Sequence, residues 1–193
     1  MSSADHVAGL LGEAFRDVPT AVWLIDDPEE RVAAVAGQFT ILVEHALAHG
    51  GVITEGLDGA VVWFDRTKDE PPIPGYDERL REACGKHYEA FAELDRIMDE
   101  HHPAEPHNYV ALVGVREDAR GRGLASAMLR RHHERLDATG TPAYLEAVSL
   151  QTANLYASLG YQRHGEPFRI GEGGPPLYPM WRPAHQVTHR PHP

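Results

Sequence analysis

The residues best suited to chemistry lie in Arg120-Gly121-Arg122-Gly123-Leu124-Ala125. Ahead of them Val113-Gly114-Val115 is apolar and β-leaning, Arg116-Glu117-Asp118 is polar, and an apolar helical pattern starts at Leu124 with Ser126 in its first turn. That order predicts a strand, a loop and a helix. Glycine at 121 and 123 lets an anion approach the main chain, and the N–H groups opening the helix turn the positive end of its dipole toward that anion. Arg120 and Arg122 are expected to add fixed positive charge. A second candidate is Glu146, which ends the apolar run Ala143-Tyr144-Leu145. A carboxylate there must be paired or face a cleft. It could take up a proton directly or through a water, or it could hydrogen-bond a loop and do no chemistry.

Other phosphate-binding patterns fit less well. A P-loop needs Gly-Lys-Ser/Thr, and Gly85-Lys86 is followed by His87. The dinucleotide fingerprint is closer, because Gly121-x-Gly123-x-x-Ser126 keeps two of its glycines and Glu146 lies about 20 residues on. Against it, the five residues Arg116 to Arg120 separate the strand from Gly121, and helices with a hairpin precede the loop. A glycine-shaped surface turn is the plain alternative. The chain holds 13 histidines. Neighbours such as His101-His102 and His132-His133 diverge by about 100° on a helix and chelate one ion poorly, so no metal is expected and these histidines should lie at the surface or a pocket rim. Cys84 has no partner in the sequence that would stabilise a thiolate.

These residues need positioning. Val7, Leu10, Leu11 and Phe15 share a helical face over residues 4 to 15, Pro19 interrupts, and a longer helix is expected from Pro28 to about His49, stopped by Gly50-Gly51. Val52-Ile53-Thr54 and Ala60 to Phe64 read as an antiparallel hairpin. Pro71, Pro72 and Pro74 keep residues 66 to 75 irregular. One helix is expected over residues 76 to 100. A strand follows over 109 to 115, a helix over 122 to 136, a strand over 142 to 148, a short helix over 152 to 159, a strand from Tyr161, and a closing hairpin at 178 to 182. The expected organisation is one domain over residues 1 to 183 and a flexible tail over 184 to 193.

With 193 residues and 42% hydrophobic content the chain can build a core. Acids outnumber bases 29 to 18, a net charge of −11. That disfavours non-specific binding of nucleic acid, which needs Lys and Arg against phosphate. It suits a cationic or amine-bearing small substrate, or merely solubility. One cysteine forms no intramolecular disulfide. No run reaches the roughly 18 apolar residues of a membrane span, and no signal peptide is evident. A cytoplasmic protein with no membrane partner is expected, and a homodimer is left open.

The loop resembles the coenzyme A loop of the GNAT N-acetyltransferases, in which Gln or Arg, two residues, Gly, one residue and then Gly or Ala recur: here Arg120 to Ala125. The likeness continues through Tyr144-Leu145-Glu146 and Leu155-Tyr156-Ala157-Ser158-Leu159-Gly160-Tyr161. It is nearest to the puromycin N-acetyltransferase-like branch over roughly residues 105 to 182. The resemblance implies an α/β fold of the α+β type: a GNAT acyltransferase fold with a mixed central sheet, flanking helices and a helical insertion before the coenzyme-binding strand. It also implies a V-shaped opening between the strands near 109 to 115 and 143 to 148. Val113, Gly114 and Val115 would bond pantetheine through the main chain, and the amides of Arg120 to Ser126 would cradle the pyrophosphate of acetyl-CoA, the co-substrate. Tyr156 matches the tyrosine that protonates the departing thiolate, and Glu146 becomes the candidate base for the amine.

Three departures stand out. Thr152 occupies the place of a frequent coenzyme-binding Asn, with Asn154 two residues nearer the tyrosine. Little chain precedes Asp5 for the family's first strand. No proline follows the coenzyme strand. The implied activity is acetyl transfer to an amine of a small-molecule acceptor by direct attack in a ternary complex. A non-catalytic acyl-CoA sensor and acetylation of a protein or peptide amine are the alternatives. Trp23, Phe39, Trp63 and Tyr76, on segments 19 to 49 and 66 to 108, are candidate acceptor contacts.

Overall fold

Reciprocal bonds between Ser2 and Asp5 start the first helix, α1 (Ser3–Ala14), and its apolar stripe of Val7, Leu10 and Leu11 is buried. This computed structural model describes residues 2 to 184; the expected tail lies, from residue 185 on, outside the described residues. Pro19 does more than interrupt: it opens α2 (Pro19–Leu24), where its missing N–H is no loss at a first helical position. Asp27 caps α3 (Pro28–His49) through the amides of Glu29 and Glu30. By length and composition α3 could cross a membrane, contrary to expectation, yet it is a core helix here, with Val35, Phe39, Ile41, Val43 and Ala46 buried. Its buried Arg31 donates to the carbonyls of Ile25, Asp26 and Arg16 and so fixes α2 against it.

The hairpin follows as β1 (Gly50–Glu55) and β2 (Gly59–Arg66), antiparallel as expected. Residues 76 to 100 are two helices, not one. Gly85 takes φ 51° and ends α4 (Tyr76–Cys84); a 3-10 turn leads into α5 (Tyr88–His101). The helical period runs through both segments, so periodicity alone conceals the break. Then come β3 (His107–Val115), α6 (Leu124–Thr139), β4 (Ala143–Ala147), α7 (Leu150–Ala157), the short β5 (Gln162–Arg163) and β6 (Phe168–Arg169), and β7 (Pro176–Arg182). The first described element is the helix α1. The strand expected from Tyr161 is two residues long.

The sheet is mixed, in the order β1-β2-β3-β4-β7-β5, with β6 paired to β7. Its one parallel contact is decisive. β3 and β4 pair only at Asn108↔Ala143 and Tyr109↔Tyr144. Beyond that, a bulge places Val62 opposite Leu112 but Trp63 opposite Val110, leaving Ala111 as an extra residue in β3. Ala111 and Leu112 consequently face the same side, toward α1 and α3, while Val110 and Val113 face α6. The bulge bends β3, and past Tyr109 its edge toward β4 has no strand partner.

The core has two main parts, one on each face of the sheet. Helices α1 to α5 pack on one face over Ala60, Val62, Phe64 and Leu112. On the other, Met128, Leu129 and Leu136 of α6, with Ala153 and Tyr156 of α7, cover Val61, Trp63, Val110, Leu145 and Met180.

Of the histidines expected at the surface or a pocket rim, His132 and His133 are instead buried in the core, while the buried His45 and His107 line a cavity. His132 Nε2 lies 2.7 Å from Asn108 Oδ1 and its ring 4.0 Å from that of Trp63; His133 Nε2 lies 3.1 Å from the Tyr161 hydroxyl. Burial lowers their pKa values to about 3 and about 4, so both serve as neutral core hydrogen-bonding groups at pH 7. Among the described residues no three His, Cys, Asp or Glu side chains are grouped to hold a metal ion.

Candidate active site

Where β3 leaves β4, the chain turns through a 3-10 segment (Glu117–Ala119) into α6. Gly121 and Gly123 have φ 77° and 76°, a region that L side chains avoid. A Cβ at either would meet no atom within 4 Å, so the space beside them is open. No side chain caps α6 and no acid sits in its first turn. Ala127 is the first residue whose amide reaches back, to Gly123 O at 3.0 Å, so the amides of Leu124, Ala125 and Ser126 have no partner within the helix. Three unpartnered amides beside two glycines could hold an anion, at the end of the strand edge formed by Val113, Gly114 and Val115.

Both arginines of the loop have partners within the protein. Arg120 is a staple: its guanidinium donates to Val115 O at 3.3 Å and Ala14 O at 3.0 Å, tying the loop to β3 and α1. Arg122, largely exposed, pairs with Asp58 at 3.2 Å. Thr152 is also occupied, since it closes a capping box with Ser149 at the start of α7; Asn154 is exposed on that helix.

On the opposite face of the sheet from α6, a cavity of about 750 Å³ lies among α2, α3, the proline-rich loop, α5 and strands β2 to β4. Segments 19 to 49 and 66 to 108 supply most of its wall. Phe39 and Tyr76 line it; Trp63 does not, being turned toward His132 on the other face, and Trp23 lies at the surface, 41% exposed. At one end Tyr76 donates to Asp95 Oδ2 at 2.7 Å and Gln38 to Asp95 Oδ1 at 3.1 Å. Burial raises Asp95 to about 6.

Glu146 lines the same cavity, with its side chain only 4% exposed. Tyr109 donates to its Oε2 at 3.0 Å, while Oε1 has no hydrogen-bond partner. Burial raises its carboxyl to about 7, against the opposing pull of the Tyr144 and Tyr109 hydroxyls. A carboxyl near 7 is matched to proton transfer at neutral pH. His102, in the sequence only one of a poorly chelating pair with His101, has its Nδ1 4.0 Å from Glu146 Oε1. Its only sequence signal is the helix end before Pro103. Gln38 was more findable, a polar residue on the apolar stripe of Val35, Phe39 and Leu42.

Tyr156 is on the other face. It is buried among the α6 and α7 residues, and burial raises its phenol to about 12, so it holds its proton at pH 7. Its hydroxyl makes no hydrogen bond among the described residues. Glu146 and Tyr156 thus flank the sheet from opposite sides.

The splayed parallel pair, the glycine loop on an uncapped helix and the buried carboxylate beside the splay all lie within the segment that known proteins match. The family model for the acetyltransferase (GNAT) domain matches residues 81–163. A solved structure described as histone acetyltransferase HPA2 and related acetyltransferase, from Corynebacterium glutamicum, is 28% identical, with a TM-score of 0.70 over 97% of this chain and 96% of that one. Polyamine N-acetyltransferase of Drosophila melanogaster (17% identical, TM-score 0.61, 90% of this chain and 91% of that) shares the fold. So does an agmatine N-acetyltransferase mutant in its apo form (18%, 0.60, 89% and 90%). Over residues 81–163 the chain is thus similar to the GNAT acetyltransferase domain, and it shares the fold of the GNAT acetyltransferases.

Proposed function

We propose that the protein acetylates a primary amine on a small, cationic molecule, with acetyl-CoA as co-substrate. The observation that carries this reading is Glu146, a nearly inaccessible carboxylate with a free oxygen, lining a walled cavity beside the splay of β3 from β4. Six carboxylates line that cavity, Asp69, Glu70, Asp95, Asp99, Glu105 and Glu146, against Arg66 and Lys68 as permanent cations. Such a lining favours a cation over an anion. The fold neighbours that act on agmatine and polyamines are consistent with it.

The cradle of Arg120 to Ser126 and the edge of Val113 to Val115 fit a pyrophosphate followed by an extended amide-bearing arm. A ligand lying in the splay brings a thioester between the two faces of the sheet. Glu146 then accepts a proton from the ammonium group, freeing the nitrogen lone pair. As the nitrogen–carbon bond forms and the carbon–sulfur bond breaks, the neutral phenol of Tyr156 protonates the thiolate and is restored by a proton from the amide nitrogen. Overall two N–H bonds and a C–S bond break, and a C–N bond, an S–H bond and an O–H bond on Glu146 form. The test is a panel of primary amines with acetyl-CoA, with free thiol detected. Thiol release that depends on the amine supports the reading; tight coenzyme A binding with no release on any amine replaces it with a sensor.

A further inference from the structure

Two ring tautomers beside Glu146 are fixed by elimination. His107 Nδ1 lies 2.6 Å from the Glu105 carbonyl oxygen, which can only accept, so Nδ1 carries the hydrogen. Both His107 and His102 are neutral, because burial and the nearby Arg66 charge disfavour their cations. His107 Nε2 is therefore bare. It lies 3.0 Å from His102 Nε2, which must be the donor of that pair. His102 Nδ1 is left bare, and it faces Glu146 Oε1 at 4.0 Å.

With Glu146 ionised, two acceptors thus confront each other, and the neighbouring Tyr144 hydroxyl makes no hydrogen bond to Oε1. Oε1 is otherwise unpartnered, and the Glu146 side chain is 4% exposed and aimed into the cavity that His102 also lines. The separation is too long for a direct bond and suits one shared donor. Water could serve, but an ammonium group brings three donors and a charge that compensates the carboxylate.

We propose that Glu146 Oε1 and His102 Nδ1 form a two-acceptor clamp for the acceptor's amino group, its geometry set by the chain from His107 to the Glu105 carbonyl. This rests on the reading of the cavity as the amine site. Glu146 takes the proton, giving a neutral acid and a neutral amine; His102 keeps hold of a remaining N–H and so orients the lone pair. Edge-to-face contacts of the His102 ring with Tyr109 and Tyr144, at 4.6 and 5.2 Å between centroids, hold it in place.

The test has a readout apart from turnover. Nitrogen-15 spectra of the imidazoles should show His102 with hydrogen on Nε2 and bare Nδ1, and titration with n-propylamine at pH 8 should shift Nδ1. A His102 carrying its hydrogen on Nδ1, or an Nδ1 signal that n-propylamine leaves unmoved, would overturn the clamp. For the best amine of the panel, His102→Phe, which keeps the ring packing, should raise KM for the amine at least tenfold and leave KM for acetyl-CoA unchanged. An unchanged amine KM sinks the clamp while leaving the acetyltransferase reading intact. Absence of turnover in the wild type sinks that reading, and the propylamine titration still decides the clamp.

Discussion

Tyr109 and Glu146 sit on the two strands that part company, and the Tyr109 hydroxyl donates to Glu146 Oε2 at 3.0 Å. The bond favours the ionised carboxyl, opposing the burial that raises it to about 7. Tyr109→Phe should therefore raise the carboxyl further. The acid limb of kcat/KM against pH, which falls away below about 7 if Glu146 is the base, should move upward by roughly one unit, the size of one charge-assisted hydrogen bond. A limb that stays in place or moves down would show that another group controls the acid side.

The same carboxyl has a signature in stability. Its pKa is about 7 folded against an ordinary 4.5, so the folded state holds the proton more tightly between those values. Stability from this group is present at low pH and is lost as pH rises from 4.5 through 7. Glu146→Gln removes that loss. The variant should match the wild type near pH 4.5 and exceed it at pH 8 by up to about 3 kcal/mol, the shift converted at about 1.4 kcal/mol per unit. Paired denaturant melts at the two pH values check it, and an equal difference at both would refute the linkage.

What could be read in the chain beforehand was what local chemistry specifies. Gly121, Gly123 and the apolar start at Leu124 mark the loop because positive φ and an uncapped helix need those residues. The hairpin and the long helix announce themselves by period and by Pro28. The bulge at Ala111 does not, since alanine is an ordinary strand residue and the flip of side chains is a property of pairing with β2. That Arg120 also ties the loop down is not legible, because its partners, Val115 O and Ala14 O, are backbone atoms that no composition reveals. His132 and His133 looked exposed for a similar reason: Asn108 and Tyr161, which satisfy them, lie 24 and 28 residues away. His102 becomes interesting only once His107, Glu105 and Glu146 are brought round it.

Glycine substitutions should separate the loop from the scaffold. At Gly123 a Cβ meets nothing, but alanine must hold φ 76°. Gly123→Ala should cost about 1–2 kcal/mol of stability, a fall in Tm of roughly 2–8 °C for a chain of this size. If the cradle holds a pyrophosphate, coenzyme A affinity should drop about tenfold or more as the amides of Leu124 to Ser126 shift. At Gly50 a Cβ would lie 2.0 Å from the Trp63 carbonyl oxygen, in the backbone of the paired strand. Gly50→Ala should destabilise by at least about 1–3 kcal/mol, as overpacking does, with coenzyme A affinity unchanged in the folded fraction. Calorimetry for binding and thermal melts for stability read both variants. Equal losses of affinity would mean that the Gly123 effect is general unfolding.

Tyr156→Phe separates catalysis from structure with unusual sharpness, because the Tyr156 hydroxyl has no hydrogen-bond partner within the described residues. Deleting a phenol oxygen that bonds nothing breaks no hydrogen bond and leaves the ring in its core, so the melting temperature should change by less than about 2 °C. Burial keeps the phenol protonated, with a pKa of about 12, so it can donate to a thiolate across the whole neutral range. As the acid for the leaving group it should support roughly a 10²- to 10⁴-fold rate effect, the range for a positioned proton donor. The variant should therefore lose kcat by at least about a hundredfold, with coenzyme A affinity and amine KM nearly unchanged. Rate retained in Tyr156→Phe would leave the thiolate to be protonated by solvent and reduce Tyr156 to packing. Rate lost together with coenzyme A affinity would instead make it part of the wall that seats the pantetheine arm.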